Sequence, residues 1–260
     1  MVIVFHVRQL IVRGGQAVIS QTMRKASTIF IMWVFLFPLA TTTTARKRPP
    51  TGGRMAVVVD ERLSALRTTP EFNGILLRRI GRGGLVAIRG EKRNREGIVF
   101  YRVRVTSRTT GWIQREALVS PSRAGDDDRL LRLIKGSEDF DRIARGRIFL
   151  DNFRLSKLRP QVLLLFAEAA EHAAARLSHD ASRRLSENEM AAGGAPPFTY
   201  FLNFNELDRY NRQGITFVFD AREKTFRYDG KSWQELLHRY PKSPEAFEAR
   251  KRLQPLAAIR

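Results

Sequence analysis

Phe100-Tyr101-Arg102-Val103-Arg104-Val105, the end of the longer run Ile98 to Val105, alternates apolar and basic residues. A period of two is the signature of a half-buried strand, and it turns Arg102 and Arg104 to one outward face. Short apolar runs of the same kind lie on either side: Ala56 to Val59, Leu76 to Ile80 and Leu85 to Ile88 before it, Gly111 to Ile113 after it. Gly83-Gly84 and Gly90 mark turns around one of them, and Lys92 to Gly97 reads as a polar loop. Five short strands in residues 55–120 predict a small β-barrel.

This stretch resembles the bacterial SH3-like domain family. The residues that carry the likeness are Leu63-Ser64-Ala65-Leu66-Arg67, then Leu76-Leu77-Arg78-Arg79-Ile80 with Gly83-Gly84 and Val86. Tyr101-Arg102-Val103, Gly111-Trp112-Ile113 and Glu116-Ala117-Leu118 complete it. The resemblance implies an SH3-like β-barrel that contacts a cell-wall polymer or a peptide. It covers about a quarter of the chain.

Upstream, residues 26–45 carry no charge: Ala26-Ser27-Thr28, the apolar block Ile29 to Ala40, four threonines and Ala45, preceded by Arg24-Lys25. This is the layout of a secretory signal, with Thr43-Thr44-Ala45 at its cleavage end. An apolar core of about a dozen residues is short for a bilayer span, which needs roughly 20. With the threonines the uncharged run reaches that length, so a cleaved signal peptide and an uncleaved anchor both fit residues 1–45. Met23 stands where such a signal begins, and residues 1–22 read as an upstream extension. Arg46-Lys47-Arg48 directly after the site runs against the usual retention of cations on the cytoplasmic side. Residues 46–54, with Pro49-Pro50-Thr51-Gly52-Gly53, form a linker.

Downstream, residues 121–128 read as a second linker that ends in Asp126-Asp127-Asp128, acids suited to a helix start. Residues 129–260 then read as mostly α-helical. Apolar residues recur at helical spacing from Leu130 to Phe153, and Pro160 to Ser178 is the strongest helix, with proline in its first turn and alanine behind it. Gly193-Gly194-Ala195-Pro196-Pro197 interrupts the pattern. A β-hairpin is expected near residues 214–229, and two helices at Lys231 to Tyr240 and Pro244 to Leu253. Phe149 to Phe153 with Ser156 and Pro160 echoes Leu236 to Tyr240 with Ser243 and Pro244, each followed by a helix. The echo resembles tetratricopeptide-type repeats of cell-envelope proteins and implies a protein-binding helical region, although a regular array needs at least three stacked repeats. The expected fold class is thus multi-domain α+β, a small SH3-like barrel followed by a tetratricopeptide-like helical region with one hairpin.

The 260 residues carry a net charge of +20 and contain no cysteine. Disulfides, thiolate zinc sites, cysteine nucleophiles and lipid-modified cysteines are thereby excluded. Residues 54–119 hold fourteen Lys and Arg against six Asp and Glu, whereas residues 126–260 hold 24 against 20. The basic excess sits on the strand-rich part and favours an anionic partner. His172 and His179 share a helix face with Glu168, but no third ligand accompanies them, and a solvated face explains them better than a metal. Gly81-Arg82-Gly83-Gly84 lacks the lysine and helix of a phosphate loop, Asp139 and Asp141 read as a solvated acidic face, and there is no serine elbow.

The expectation is an exported, non-catalytic scaffolding protein of the periplasm or cell envelope, with no cofactor and no metal. Its partners would be a cell-wall polymer or peptide on the barrel and an envelope protein on the helices, with the membrane met only through the N-terminal segment. Tyr101, Arg108, Trp112 and Arg115 are the candidate ligand-binding residues, Trp112 either stacking on ligand or packing at the strand start. The alternative is a basic nucleic-acid-binding protein, which the signal segment disfavours.

Overall fold

Alternation in β1 (Arg54–Val58) sends Ala56 and Val58 to one face and Val57 to the other, joined there by Val59 just beyond the strand, and all four are buried. A strand buried on both faces needs a layer on each side, and that requirement organises the molecule. The computed structural model describes residues 53–257, which belong to a single unit spanning 49–260. The expected signal segment 1–45, Met23 and almost all of the first linker lie outside the described residues.

β1 is followed by β2 (Ala65–Arg67), β3 (Leu76–Arg79), β4 (Leu85–Arg93), β5 (Val99–Arg104), β6 (Thr110–Gln114), a 3-10 turn at Arg115–Ala117 and β7 (Leu118–Val119). They make one seven-stranded antiparallel sheet in the order β3-β2-β6-β5-β4-β1-β7. One face buries Ala56, Val58, Leu66, Val86, Ile88, Tyr101, Val103, Ile113 and Leu118 against one another. No α-helix among the described residues contributes to this cluster, which Ile80 of the β3–β4 turn and Ala117 of the 3-10 turn complete. On the other face Val57, Val59 and Val119 pack with Leu130 and Ile134 of α1 (Asp126–Lys135), Ile148 and Phe149 of α2 (Asp139–Asn152) and Val162 of α3 (Arg159–Arg184).

The expected architecture is therefore corrected. Among the described residues the sheet ends at β3 and β7, which do not pair, so it is an open sheet and not a small closed barrel. Nor does a separate helical region follow it, because sheet valines and helix side chains share one core. Residues 121–128, expected as a linker, are pinned: Asp126 is buried and accepts from Ser120 N at 2.8 Å, and Arg129 of α1 donates to the Glu116 carbonyl at 3.1 Å and to that of Leu118. Gly90, expected at a turn, sits inside β4 at a register shift against β5, and the strand runs on through Lys92 to Arg93. A bulge there breaks the alternation without ending the pairing.

A third cluster forms around α3, whose buried Ala167, Ala170, Ala173, Ala174 and Ala181 let neighbours approach closely. Beyond it come α4 (Glu187–Gly193), α5 (Pro197–Leu202), α6 (Leu207–Asn211), a hairpin of β8 (Phe217–Asp220) and β9 (Thr225–Tyr228), then α7 (Lys231–Arg239) and α8 (Pro244–Ala257). Ser186 caps α4, its hydroxyl accepting from Glu189 N. Buried Trp233 of α7 donates its indole N–H to Glu171 of α3 at 2.8 Å, and Phe226 N of β9 donates to Ser178 Oγ at 2.7 Å. The two helix pairs behind the repeat echo, α2 with α3 and α7 with α8, are separated in sequence by three short helices and a hairpin, unlike the contiguous units of a regular array, although α7 and α8 both pack on α3. α3 alone has 26 residues against 14 in α2 and 9 in α7.

Candidate functional site

The register of the sheet decides which of its basic and aromatic residues share a face. Arg102 of β5 lies opposite Trp112 of β6, and Trp112 lies opposite Arg67 of β2. Paired residues in a ladder stand side by side, so Arg67, Trp112 and Arg102 form one cross-strand row. The adjoining rows on this outer face are Lys92-Phe100-Gln114 and Ala87-Arg104-Thr110. Where the face reaches β1 and β7 the helices cover it; over β5, β6 and β2 it is bare enough that Arg102 is exposed and Arg67, Arg104 and Trp112 are half-buried.

The electrostatics of this face differ from those of the helical part. Arg147 with Asp151, Arg159 with Glu235, Arg176 with Asp139, Arg227 with Glu223 and Arg252 with Glu171 are ion-paired. In residues 54–119, ion pairs hold Arg62, Arg82 and Arg115. Lys92, Arg102, Arg104 and Arg108 have no acidic partner among the described residues. The Arg104 Nε is buried with no hydrogen-bond acceptor. Arg102 and Arg104 stand two residues apart on one strand, about 7 Å, where two like charges in water repel by roughly 0.6 kcal/mol. An anion laid along the face adds an attraction to each cation that outweighs this repulsion.

The four candidate residues do not converge. Trp112 is on the outer face, but Tyr101 alternates with Arg102 and points into the sheet's own core, 5% exposed, its hydroxyl accepting from Arg123 Nη1 at 2.9 Å. Arg108 lies in the β5–β6 turn, which Thr106 Oγ1 holds by accepting from Arg108 N and Thr109 N. Arg115 follows the opposite end of β6, a strand length of about 17 Å away, and pairs with Glu116 at 3.0 Å. Sequence alone missed Arg67, which sits in the row only because a three-residue strand inserts β2 beside β6. Its Nη1 donates to the Gly74 carbonyl at 2.8 Å, which anchors the guanidinium on the β2–β3 loop.

Other charged groups serve the joint between sheet and helices. Arg145 of α2 is buried and donates to the Val59 carbonyl at 3.2 Å and to Ser137 Oγ at 2.5 Å. Asp60 takes a bidentate pair from Arg62, whose hydrogen bonds hold its carboxyl below the usual range against the opposing pull of burial. Asp141 of α2 is held low in the same way by its hydrogen bond from Arg82 at 2.7 Å, a contact that crosses from the β3–β4 turn to the helix. His172 lies in a shallow cleft with Glu138, Asp139, Arg142 and Ala169, and His179 is exposed further along α3. Among the described residues no three His, Asp or Glu side chains converge as a metal site, and no helix is long and apolar enough to cross a membrane. The chain matches no family model, no curated protein and no solved structure, so no comparison identifies an SH3-like or tetratricopeptide-like domain in it.

Proposed function

We propose that this chain is a non-catalytic binding protein of the cell envelope, exported by way of residues 26–45, that holds an anionic cell-wall polymer on the outer face of its sheet. The observation that carries this reading is the Arg67-Trp112-Arg102 row with Arg104 and Lys92 beside it, a set of cations without acidic partners among the described residues. Cations gathered on one face cost the fold some stability, and an anionic polymer offsets that cost along its length. The helical part, whose charges are largely paired internally, supports the face and offers its remaining surface to an envelope protein.

Co-sedimentation with isolated cell walls tests the reading. Residues 49–260 pellet with walls at low salt and are released as ionic strength rises, because contacts between exposed charges are screened beyond about 10 Å at 0.1 M. Arg102→Glu lowers the bound fraction several-fold while the circular dichroism stays unchanged. Failure to pellet at low salt overturns the wall-binding reading. Trp112 between two arginines on an open sheet face also suits a nucleobase stacked over phosphate contacts, which keeps nucleic acid as the second reading. Tight binding to single-stranded nucleic acid with no wall binding, in a chain fractionating with the cytosol, decides for that one.

A further inference from the structure

The sheet has a free edge that its outer face does not account for. Among the described residues β3 pairs only with β2, so the backbone N–H and C=O groups on its far side have no described strand beside them. Leu76, Leu77, Arg78 and Arg79 are all exposed, and Ile75 just before them is 73% exposed. Phe72, 47% exposed, meets Phe100 edge-on at 5.6 Å and carries the apolar surface from the loop onto the outer face. Folded proteins ordinarily blunt such edges with charge, proline or a covering segment. Here three consecutive aliphatic residues stand at the margin, and contiguous exposed apolar surface of this kind marks an interaction site.

The register and the charges say what fits. The row Arg102-Trp112-Arg67-Leu76 crosses four strands and ends at β3, so a segment laid alongside extends the same ladder. A register shift sets Leu76 opposite Arg67 of the outer row and Arg78 opposite Leu66 of the other face. Arg78 has no acidic partner among the described residues, and Arg79 donates only to the Arg62 carbonyl. A second copy of β3 would add two more arginines at the same edge and supply no carboxylate to any of them. Acidic side chains in the incoming segment supply those carboxylates. We propose that β3 is a docking edge for an extended peptide of alternating acidic and aliphatic residues from a partner protein, added as a further strand through backbone hydrogen bonds. This inference stands apart from polymer binding, since it uses the backbone of the edge rather than the arginines of the face.

The test titrates the full chain with synthetic peptides of about ten residues, long enough for a full strand. One alternates Glu and Val, one alternates Lys and Val, and the third is the Glu/Val peptide N-methylated at alternate amides. The Glu/Val peptide binds and slows amide exchange in residues 75–80, while the other two bind at least about tenfold more weakly. An Arg78→Glu, Arg79→Glu variant, folded by circular dichroism, reverses the preference toward the Lys/Val peptide. The same double variant still pellets with cell walls at low salt, which separates this result from the polymer reading. Equal affinity for the three peptides, no binding of any, or protection confined to other residues overturns the proposal. Self-association that protects residues 76–79 without peptide also overturns it, in favour of a second copy.

Discussion

A Cβ added at Gly111 would lie 2.7 Å from the Arg67 carbonyl oxygen and 2.8 Å from Leu66 Cγ. The first of these is backbone and cannot swing aside, so Gly111→Ala is expected to lower stability by about 1–3 kcal/mol in chemical denaturation. Gly90→Ala, where nothing stands within 4 Å of the new methyl, shifts it by less than about 0.5 kcal/mol. Tyr228 gives a second expectation at this scale. Burial pushes its hydroxyl up to about 12, opposed by the hydrogen bonds it shares with Ser232. A raised pKa means the folded state holds the proton longer than the unfolded one. Its contribution to stability is therefore full below the ordinary tyrosine value of about 10 and is lost as pH climbs through the folded value. Denaturation midpoints should fall between those two pH values, and Tyr228→Phe should flatten the fall while starting about 1 kcal/mol lower for want of its hydroxyl. The faces of single residues were partly legible beforehand. Alternation along β5 already separates Tyr101 from Arg102, but placing Trp112 with Arg102 needs the pairing register, which the turn Thr106 to Thr109 sets.

Among the elements, α3 is the one on which most others rest, since α2, α7, α8 and β9 all pack on it. Its alanines are spacers, and Ala170 is 0% exposed. Ala170→Leu is expected to cost about 1–3 kcal/mol by overpacking, whereas Ala175→Leu, on the exposed side of the same helix, stays within about 0.5 kcal/mol. Thermal melts of the two variants make the comparison at nearly constant helix propensity. The proline at its start and the alanine behind it made this helix readable from composition. Other elements were hidden for physical reasons. β7 has two residues, too few to show a period, and takes its place from β1 beside it. β4 carries a bulge at Gly90 and exposed polar residues beyond it, so its second half imitates a loop. The short helices α4 to α6 are interrupted by glycine and proline and hold few turns for a pattern to repeat.

The whole molecule joins what composition divides. Asp126 looked like a helix-start acid closing a linker, and it does start α1, but it is also buried and fastened to Ser120 at the end of the sheet. Burial of a single carboxylate and the reach of Arg129 back to two carbonyls are tertiary facts that no periodicity announces. Residues 49–260 should accordingly unfold in one transition, with the sheet and helix signals superimposed. Asp126→Ala, which strands the Ser120 N–H, should lower both together by about 1–3 kcal/mol. Two separated transitions would restore the barrel-plus-helices division that the shared core replaces.

The strand order bears on the order of synthesis. β1 lies between β4 and β7, with Val57 set against both Leu85 and Val119, and β2 takes its place beside β6. β1 thus waits for β4 and β7, and β2 for β6, whereas β3, β5 and β6 pair with what immediately precedes them. Contacts between distant parts of a chain form slowly, because a long loop must close before any of them is rewarded. A nascent chain emerging from its tunnel therefore carries an adhesive, half-sealed β1 until Val119 is clear. That interval is when a chaperone can keep the polypeptide extended, and a product truncated ahead of Leu118 would keep a permanently sticky margin.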